Sequence, residues 1–310
     1  MFVIKNKFFL APLAGYSDEL FRFLARKHGA DVTITEMVSV KGLIYRQKNT
    51  FDLLASHAND HPLGVQLFGY EADDFARAAE IVLEKHKVEF FDINVGCPVK
   101  KVIKQKAGSY LMKEPKQVES IIKALVKNIS LPISVKIRTG WDNNNKNYLS
   151  LAKLIEDSGA AFITVHGRTR TELFIGEVDY EAISQIKEAL TIPVVGSGDI
   201  VDLDSFEKMR ATGCDSYMIE RAAIGQPWLF NEIKKIKEYS FKEKFNIMFE
   251  HFQLYEQKYG ERFGIRKFRN FGVHYLKKMF HKKALLQKLF DIKTKEEMIE
   301  FFSQLVILEK

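Results

Sequence analysis

The segment FFDINVGCP, residues 90–98, is a short apolar run that leads directly into a loop bearing a cysteine. An apolar run of this length, bounded by glycine and proline, is typical of a strand buried on both faces of a parallel sheet. Pro98 favours an extended backbone at Cys97 and prevents a helix from starting there. The segment therefore predicts a buried strand with a thiol in the loop that follows it.

Similar apolar runs recur through the first 220 residues, each followed by a loop, and amphipathic segments lie between several of them. The predicted strands are Phe8–Ala11, Val32–Thr35, Leu63–Leu67, Phe90–Asn94, Ile133–Ile137, Phe162–Val165, Pro193–Gly196 and Tyr217–Ile219. The predicted helices include Ala72–His86, Pro115–Ile129, Leu149–Ser158 and Leu203–Ala211. The polar stretch between the second strand and Leu63 is predicted to be helix plus loop. Eight strand-helix units over about 230 residues indicate an α/β fold, a TIM (β/α)8 barrel, with active-site groups on the loops after the strands.

Polar or reactive side chains follow most of the predicted strands. In strand order they are Pro12–Gly15, Glu36, Gln66, Asn94 with Cys97, Lys136 with Arg138, His166 with Arg168, Ser197-Gly198-Asp199, and Glu220 with Arg221. A single polar group at a strand end is usually a satisfied structural group or a solvated one. Their recurrence at one rim nevertheless predicts an active site. The last two loops resemble the phosphate site that many TIM barrels form at this place.

Composition is that of an ordinary globular chain, with 46% apolar and 28% charged residues among 310. Met1–Lys7 contains no apolar region of signal-peptide length, and no window has the roughly 18 uncharged apolar residues of a membrane helix. We therefore expect a cytoplasmic protein without membrane association. Cys97 and Cys214 form neither a CxxC pair nor a metal-ligand spacing, so neither a disulfide framework nor a metal site is expected. Cys214 is predicted to be a packing residue near the eighth strand.

The net charge of +7 is concentrated towards the C-terminus. Residues 1–230 hold 29 Lys and Arg against 29 Asp and Glu, whereas residues 231–310 hold 18 against 11. This asymmetry predicts a basic second module that faces an anionic partner. We place the barrel at 1–235 and a helical domain at 236–310.

Two patterns in this tail have helical spacing. Aromatic residues three or four apart predict the core of a helix bundle rather than a base-stacking surface; they are Phe241, Phe245, Phe249, Phe252, Tyr255, Tyr259 and Phe263. Arg262, Arg266 and Arg269 predict a cationic face that suits a phosphate backbone. A run of lysines after the cysteine loop would extend this face to the barrel mouth; it includes Lys100, Lys101 and Lys104.

Taken together, the strand-end motifs resemble those of the tRNA-dihydrouridine synthases of bacterial type, flavin-dependent enzymes that reduce selected uridines in tRNA. The matching segments are Ala11–Gly15, Ile34–Ser39, Val65–Gly69, Asp92–Pro98, Ala107–Ser109, Val135–Trp141, Ile163–Arg170 and Gly225–Trp228. They span nearly the whole predicted barrel in the right order. The combination of NVGCP with VHGRTR is highly specific.

The resemblance implies FMN at the barrel mouth, with a nicotinamide nucleotide, NADPH or NADH, as reductant. By similarity, Pro12 to Ala14, with Leu13 between them, pack on the flavin, Gln66 hydrogen-bonds to its ring edge, and Lys136 lies beside N1 and O2. A fixed ammonium there would favour the anionic reduced flavin; the alternative is a lysine paired with a nearby carboxylate. The phosphate side is assigned to Ser197, Gly198, Asp199, Glu220 and Arg221. His166 would contact either the phosphate side or the substrate, and Arg168 would serve either the phosphate or the RNA.

The implied reaction passes hydride to C6 of a uracil turned out of the tRNA, and C5 then needs a proton. Cys97 is the implied donor, since a thiol with a pKa near 8.5 stays mostly protonated at neutral pH. Without the resemblance, a free cysteine is usually a small buried hydrophobe. The residues assigned to the RNA are Asn94, Arg138, Arg168 and Arg170, together with the basic residues of the tail and of 100–104. A monomer is expected.

Two positions depart from the family pattern. Ser197 stands where asparagine is usual, and Glu220 stands where glycine is usual. Serine can still donate and accept hydrogen bonds, so the flavin loop is expected to survive. A carboxylate beside a phosphate is unfavourable unless it points away or pairs with Arg221, so the phosphate is expected to contact backbone N–H groups and Arg221.

Two other functions fit parts of the sequence. A dihydroorotate-dehydrogenase-like barrel acting on a free pyrimidine would keep the flavin site, but it would not need a basic helical tail. A non-catalytic RNA-binding barrel would tolerate an altered flavin site. Cys97, Lys136 and His166 argue against this second alternative, whereas Ser197 and Glu220 leave it open.

Overall fold

A closed sheet of parallel strands forms the centre of the computed structural model, which describes residues 4–280 and 282–307. The strands are β1 (Phe8–Leu10), β2 (Val32–Ile34), β3 (Val38–Ser39), β4 (Leu63–Phe68), β5 (Phe90–Asn94), β6 (Ile133–Arg138), β7 (Phe162–His166), β8 (Val194–Ser197) and β9 (Ser216–Ile219). Hydrogen bonds join neighbouring strands in the order β1, β2, β4, β5, β6, β7, β8, β9, and β9 pairs with β1, which closes the barrel. The two-residue β3 pairs with β4. The predicted eight-stranded barrel is confirmed, with strand ends shifted by no more than one residue.

Helices cover the outside of the barrel and then continue as a C-terminal group. They are α1 (Glu19–Lys27), α2 (Val40–Ile44), α3 (Lys48–Phe51), α4 (Ala72–Leu83), α5 (Lys100–Ile103), α6 (Pro115–Asn128), α7 (Tyr148–Asp157), α8 (Tyr180–Ala189), α9 (Leu203–Ala211), α10 (Leu229–Ile233), α11 (Phe241–Tyr259), α12 (Glu261–Met279), α13 (Lys283–Asp291) and α14 (Lys295–Ile307). Short 3-10 turns lie at Asp52–Leu54, Gly108–Lys113 and Arg221–Ala223. None of the helices within the described ranges has both the length and the apolar composition to cross a membrane.

The strands are buried on both faces, which divides the barrel's apolar residues into two cores. Phe9, Phe90, Phe162 and Met218 fill the barrel interior, and each is no more than 2% exposed. The outer faces of the strands pack against the surrounding helices. Cys214 belongs to this outer core, where it is 5% exposed and its thiol donates to the carbonyl of Met209, so its predicted packing role is confirmed.

The C-terminal helices dock on the barrel through α1. The Tyr255 hydroxyl of α11 donates to the carboxylate of Asp18, the N-cap of α1, and Lys27 pairs with Glu250 at 2.6 Å. These contacts explain why α11 has buried residues on a face that an isolated helix would leave exposed. Tyr255 is 1% exposed.

The predicted aromatic core is confirmed for the part of the stripe that lies in α11. Phe252 is buried, and Phe245, Phe249 and Tyr259 are partly buried against the core. The prediction is wrong for Phe263, which is 60% exposed. Gly260, with φ +74°, ends α11 before this residue, so Phe263 lies on a different helix and does not continue the stripe.

Candidate active site

A cavity of about 270 Å³ opens at the carboxyl ends of the barrel strands. Its walls contain eleven of the predicted site residues, namely Pro12, Leu13, Ala14, Gln66, Asn94, Cys97, Lys136, Arg138, His166, Glu220 and Arg221. They also contain Tyr16, Met37, Phe174 and Ile224, which the sequence did not single out. The position of polar residues at strand ends therefore predicted where the site lies. No comparable feature of the sequence indicated that these four further residues line the cavity.

The loop that carries Cys97 is held in a fixed shape. The side-chain oxygen of Asn94 accepts the amide N–H groups of Gly96 and Cys97 at 3.2 and 2.9 Å. Gly108 adopts φ +63°, and a Cβ there would lie 2.8 Å from the carbonyl oxygen of Cys97, so this position requires glycine. Burial raises the pKa of the Cys97 thiol by more than the nearby cations Arg138 and Lys136 lower it. Cys97 is therefore a protonated thiol at neutral pH.

A chain of buried hydrogen bonds supports this loop from below. Asp92 accepts from the Ser134 hydroxyl and from the Gln66 amide, both at 2.6 Å. The Gln66 oxygen in turn accepts from the Asn94 amide at 2.7 Å. Burial raises the pKa of Asp92 to about 6 despite these bonds. These bonds use one of the two Nε2 protons of Gln66.

Asp92 and Ser134 were missed by the sequence reasoning as supporting residues. Asp92 is 1% exposed, and a carboxylate at such a position needs hydrogen-bonded partners. An aspartate within an apolar strand was the available signal for it. Nothing in the sequence indicated Ser134 as its partner.

Glu220 points into the barrel mouth and does not pair with Arg221. Its Oε1 lies 2.9 Å from Lys136 Nζ and 2.9 Å from the Ser197 hydroxyl, and its Oε2 lies 3.0 Å from His166 Nε2. Burial would raise the pKa of Glu220, but the interactions of its carboxylate with His166 and Lys136 outweigh the effect of burial and hold that pKa well below its usual range. The alternative considered for Lys136, pairing with a carboxylate at a strand end, is thus observed within the cavity.

His166 is 1% exposed and lies beside the carboxylate of Glu220. Burial lowers the pKa of His166 by more than Glu220 raises it. Nδ1 and Nε2 are both buried and have no hydrogen-bond partner among the described residues, although Nε2 lies 3.0 Å from Glu220 Oε2. The ring therefore has polar atoms that a ligand would satisfy.

A tight turn with charged side chains borders the cavity on the side of β8 and β9. Gly198 and Asp199 form a tight turn with φ +133° and +44°. Asp199 pairs with Arg168 and, at 3.2 Å, with Arg221, whose guanidinium lies 4.5 Å from the centre of the Phe174 ring. A second cavity of about 210 Å³ adjoins this turn.

The second cavity is also lined by Lys278 of α12. Sequence reasoning counted this lysine only as part of the basic tail. Its position depends on how α12 packs on the barrel, which periodicity within the tail does not reveal. The tail thus contributes a cation beside the predicted phosphate loop.

The residues predicted to contact RNA differ in exposure. Arg138 and Arg168 are 4% and 2% exposed, and they support loops. Arg138 donates to the carbonyls of Gly96 and Thr169, each at 2.9 Å, while Arg168 donates to the carbonyl of Gly176. The exposed group consists of Lys100, Lys101, Lys104, Arg262 and Arg266.

Arg170 and Arg269 are intermediate in exposure. The Arg170 guanidinium lies 4.5 Å from the centre of the Trp141 ring. Arg269 donates to the carbonyl of Ile292, the C-cap of α13. Arg269 therefore supports the tail's own packing, although it shares a helix with the exposed arginines.

Comparison with known proteins gives consistent matches over nearly the whole chain. The family model described as dihydrouridine synthase (Dus) matches residues 9–309. A protein named tRNA-dihydrouridine synthase B from Pasteurella multocida (strain Pm70) is 36% identical, over 99% of this chain and 96% of that protein. The protein of the same name from Pseudomonas syringae pv. tomato is 38% identical, over 98% and 93%.

A solved structure shares the fold at low sequence identity. The crystal structure of the Amycolatopsis orientalis BexX/CysO complex matches with a TM-score of 0.50, over 75% of this chain and 88% of that chain. The identity is 16%, so this likeness concerns the fold alone.

Proposed function

Because the chain belongs to the dihydrouridine synthase family, we propose that it reduces specific uridines in tRNA to 5,6-dihydrouridine. One observation supports the chemical part of this proposal: the Cys97 thiol, whose pKa is raised by burial, lines the same cavity as Lys136 and His166. A proton donor and a cationic group in one enclosed site suit the reduction of a carbon–carbon double bond.

The cavity fits FMN. Pro12, Leu13 and Ala14 supply an apolar wall, and the buried, unpartnered Nδ1 of His166 supplies a polar group for a ligand to complete. A tight turn beside an exposed arginine, as at Gly198-Asp199 and Arg221, suits a phosphate. We assign the ring to Gln66 and Lys136, and the phosphate side to His166, Ser197, Gly198, Asp199 and Arg221 with the backbone at Glu220. Bound there, FMN would supply the hydride, with NADPH or NADH as the source of its electrons.

The role of Cys97 is to deliver a proton to C5 of the uracil. The proton leaves Sγ, the C5–H bond forms, and the resulting thiolate takes a proton back from water. Asn94 holds the Cys97 amide, so the thiol stays on the cavity side of the loop. A uridine inside folded tRNA reaches this site only after leaving its stack.

The substrate is held by both parts of the chain in this proposal, the barrel at 1–235 and the helical domain at 236–310. Arg262 and Arg266 are exposed on α12, and Lys100, Lys101 and Lys104 are exposed beside the cysteine loop. Cations suit the tRNA backbone, and their contact would be sequence-independent. We propose a cytoplasmic monomer.

Mapping dihydrouridine tests this proposal. Purified protein, NADPH and an unmodified tRNA transcript are expected to give dihydrouridine at defined positions. Free uracil and orotate are expected to turn over far more slowly. Equal turnover of a free pyrimidine would instead support a dihydroorotate-dehydrogenase-like enzyme, and a colourless protein that cannot be reconstituted with FMN would support a non-catalytic RNA-binding barrel.

A further inference from the structure

Glu220 contacts three side chains of the candidate site at once, from the loop after β9. We infer that Glu220 is a positioning residue, which fixes Lys136 and His166 at the flavin site and offsets the positive charge that Lys136 presents to the flavin. The inference rests on the proposed function, because it requires a flavin in this cavity. It assigns a purpose to the two positions, Ser197 and Glu220, at which the chain departs from the family pattern.

The geometry supports a positioning role for each contact. A lysine ammonium sits on a flexible four-carbon stem, and the 2.9 Å contact to Glu220 Oε1 holds it in one place. Glu220 Oε2 lies 3.0 Å from His166 Nε2, a close contact that restricts where the imidazole ring can lie, although it lacks the alignment of a hydrogen bond.

Ser197 completes the network. Its hydroxyl donates to Glu220 Oε1 at 2.9 Å, the same oxygen that contacts Lys136. Ser197 is the last residue of β8 and Glu220 directly follows β9, 23 residues further along the sequence. The two departures are therefore parts of one arrangement, in which the serine hydroxyl satisfies a carboxylate that a glycine would not provide.

The electrostatic consequence follows from the burial of the pair. The side chains of Lys136 and Glu220 are 13% and 14% exposed, so solvent screens their charges only weakly. A reduced flavin is an anion, and a lone ammonium beside it would stabilise that form. Glu220 opposes this stabilisation, so the pair is expected to hold the flavin's midpoint potential below the value that Lys136 alone would give.

Midpoint potentials of the full-length, FMN-loaded protein test the inference without tRNA. Glu220→Gln keeps the side-chain shape and removes the charge, so the equilibrium should shift at least tenfold towards reduced flavin, about 30 mV for a two-electron couple. Lys136→Met should shift it the other way. Glu188→Gln, a charge change on an exposed site of α8, is the matched control and should leave the potential unchanged.

A potential for Glu220→Gln equal to that of the control would overturn the inference. If Glu220→Gln does not fold, Glu220→Asp replaces it, since this variant keeps the charge and shortens the side chain. It should keep the potential near the wild-type value while weakening FMN binding several-fold; unchanged FMN affinity would contradict the positioning role.

The test of Glu220 and the test of the proposed function can fail independently of each other. Wild-type protein that binds FMN and shows the expected potential shifts, but reduces no tRNA, would contradict the proposed function alone. Active enzyme whose potential ignores Glu220 would contradict this inference alone.

Discussion

At the level of single residues, the chemistry proposed here depends on a thiol that keeps its proton. Burial raises the pKa of Cys97, so the acid form persists at neutral pH and is lost only as the pH rises through that raised pKa, above about 8.5. We expect the single-turnover rate with tRNA to fall over that alkaline range. The rate is measured by rapid mixing of reduced enzyme with tRNA.

Removing the thiol separates proton delivery from the rest of the cycle. Cys97→Ala is expected to lower the rate of dihydrouridine formation by about 10²–10⁴-fold, the usual contribution of a general acid. Reduction of FMN by NADPH should be unaffected, and it serves as the control reaction. Full dihydrouridine formation by Cys97→Ala would remove this residue from the acid role.

Sequence reasoning placed Cys97 correctly in the cavity but not the partners of Glu220. A local motif, NVGCP, fixes the position of the thiol relative to its own strand. The contact between Lys136 and Glu220 joins residues 84 apart, one on β6 and the other directly after β9, and these two strands are not neighbours in the sheet. Such a contact exists only once the barrel closes, so a pattern within one segment does not reveal it.

At the level of secondary-structure elements, a buried ion pair connects α1 to the segment before β4. Arg22 and Asp60 lie 2.7 Å apart with both side chains 0% exposed, and Asp60 also accepts from the Thr33 hydroxyl at 2.5 Å. Arg22→Ala would leave Asp60 buried without its cation. We expect a loss of about 3–5 kcal/mol in the free energy of unfolding, measured with urea.

An exposed ion pair offers the control for that measurement. Arg46 and Glu84 are 4.0 Å apart, with side chains 62% and 52% exposed. Arg46→Ala should therefore change the free energy of unfolding by no more than about 1 kcal/mol. Similar losses in the two variants would contradict the importance assigned to the buried pair.

The contact between α11 and α12 predicts a dependence of stability on pH. His251 is 0% exposed, and its Nδ1 lies 3.1 Å from the hydroxyl of Tyr275. Burial lowers the pKa of His251 to about 3, against about 6.5 in an unfolded chain. Between these values the unfolded chain binds the extra proton, so stability falls as the pH is lowered from about 6.5 towards 3.

Urea unfolding at pH 7 and pH 5 measures this effect. His251→Gln, which does not titrate, should lose less stability between the two pH values than the wild type does. His57→Gln, at an exposed site, should keep the wild-type difference. An unchanged pH difference in His251→Gln would show that other groups cause the acid sensitivity.

Periodicity predicted most elements because burial repeats along each of them. Each barrel strand is covered on both faces, so a continuous apolar run marks it. The prediction for Phe263 was wrong because a helix break at Gly260 changes the direction of the chain without changing the spacing of the aromatic residues. Strand β3 was not predicted, because a strand of two residues is too short to show any hydrophobic period.

At the scale of the whole molecule, the uneven charge predicts how tRNA binds. If the basic tail contacts the phosphate backbone, affinity should fall steeply with salt. Arg266→Glu should weaken tRNA binding and reduce the magnitude of the salt slope by about one or more, without loss of FMN. Binding is measured by filter retention or fluorescence anisotropy over a series of salt concentrations.

Two variants make this prediction specific. Arg77→Glu places the same charge change at an exposed site on α4 and should have a smaller effect than Arg266→Glu. Arg269→Glu is expected to destabilise the tail, because its guanidinium holds the carbonyl of Ile292. Salt-independent tRNA binding would contradict the role given to the tail.

Anaerobic single-turnover oxidation tests the central claim most directly. Enzyme loaded with FMN and reduced with one equivalent of NADPH is mixed with unmodified tRNA, with free uridine, or with buffer, and flavin absorbance is followed. We predict rapid recovery of the oxidised flavin spectrum with tRNA only, and close to one dihydrouridine for each flavin oxidised. Recovery as slow with tRNA as with buffer, or as fast with free uridine, would contradict the account.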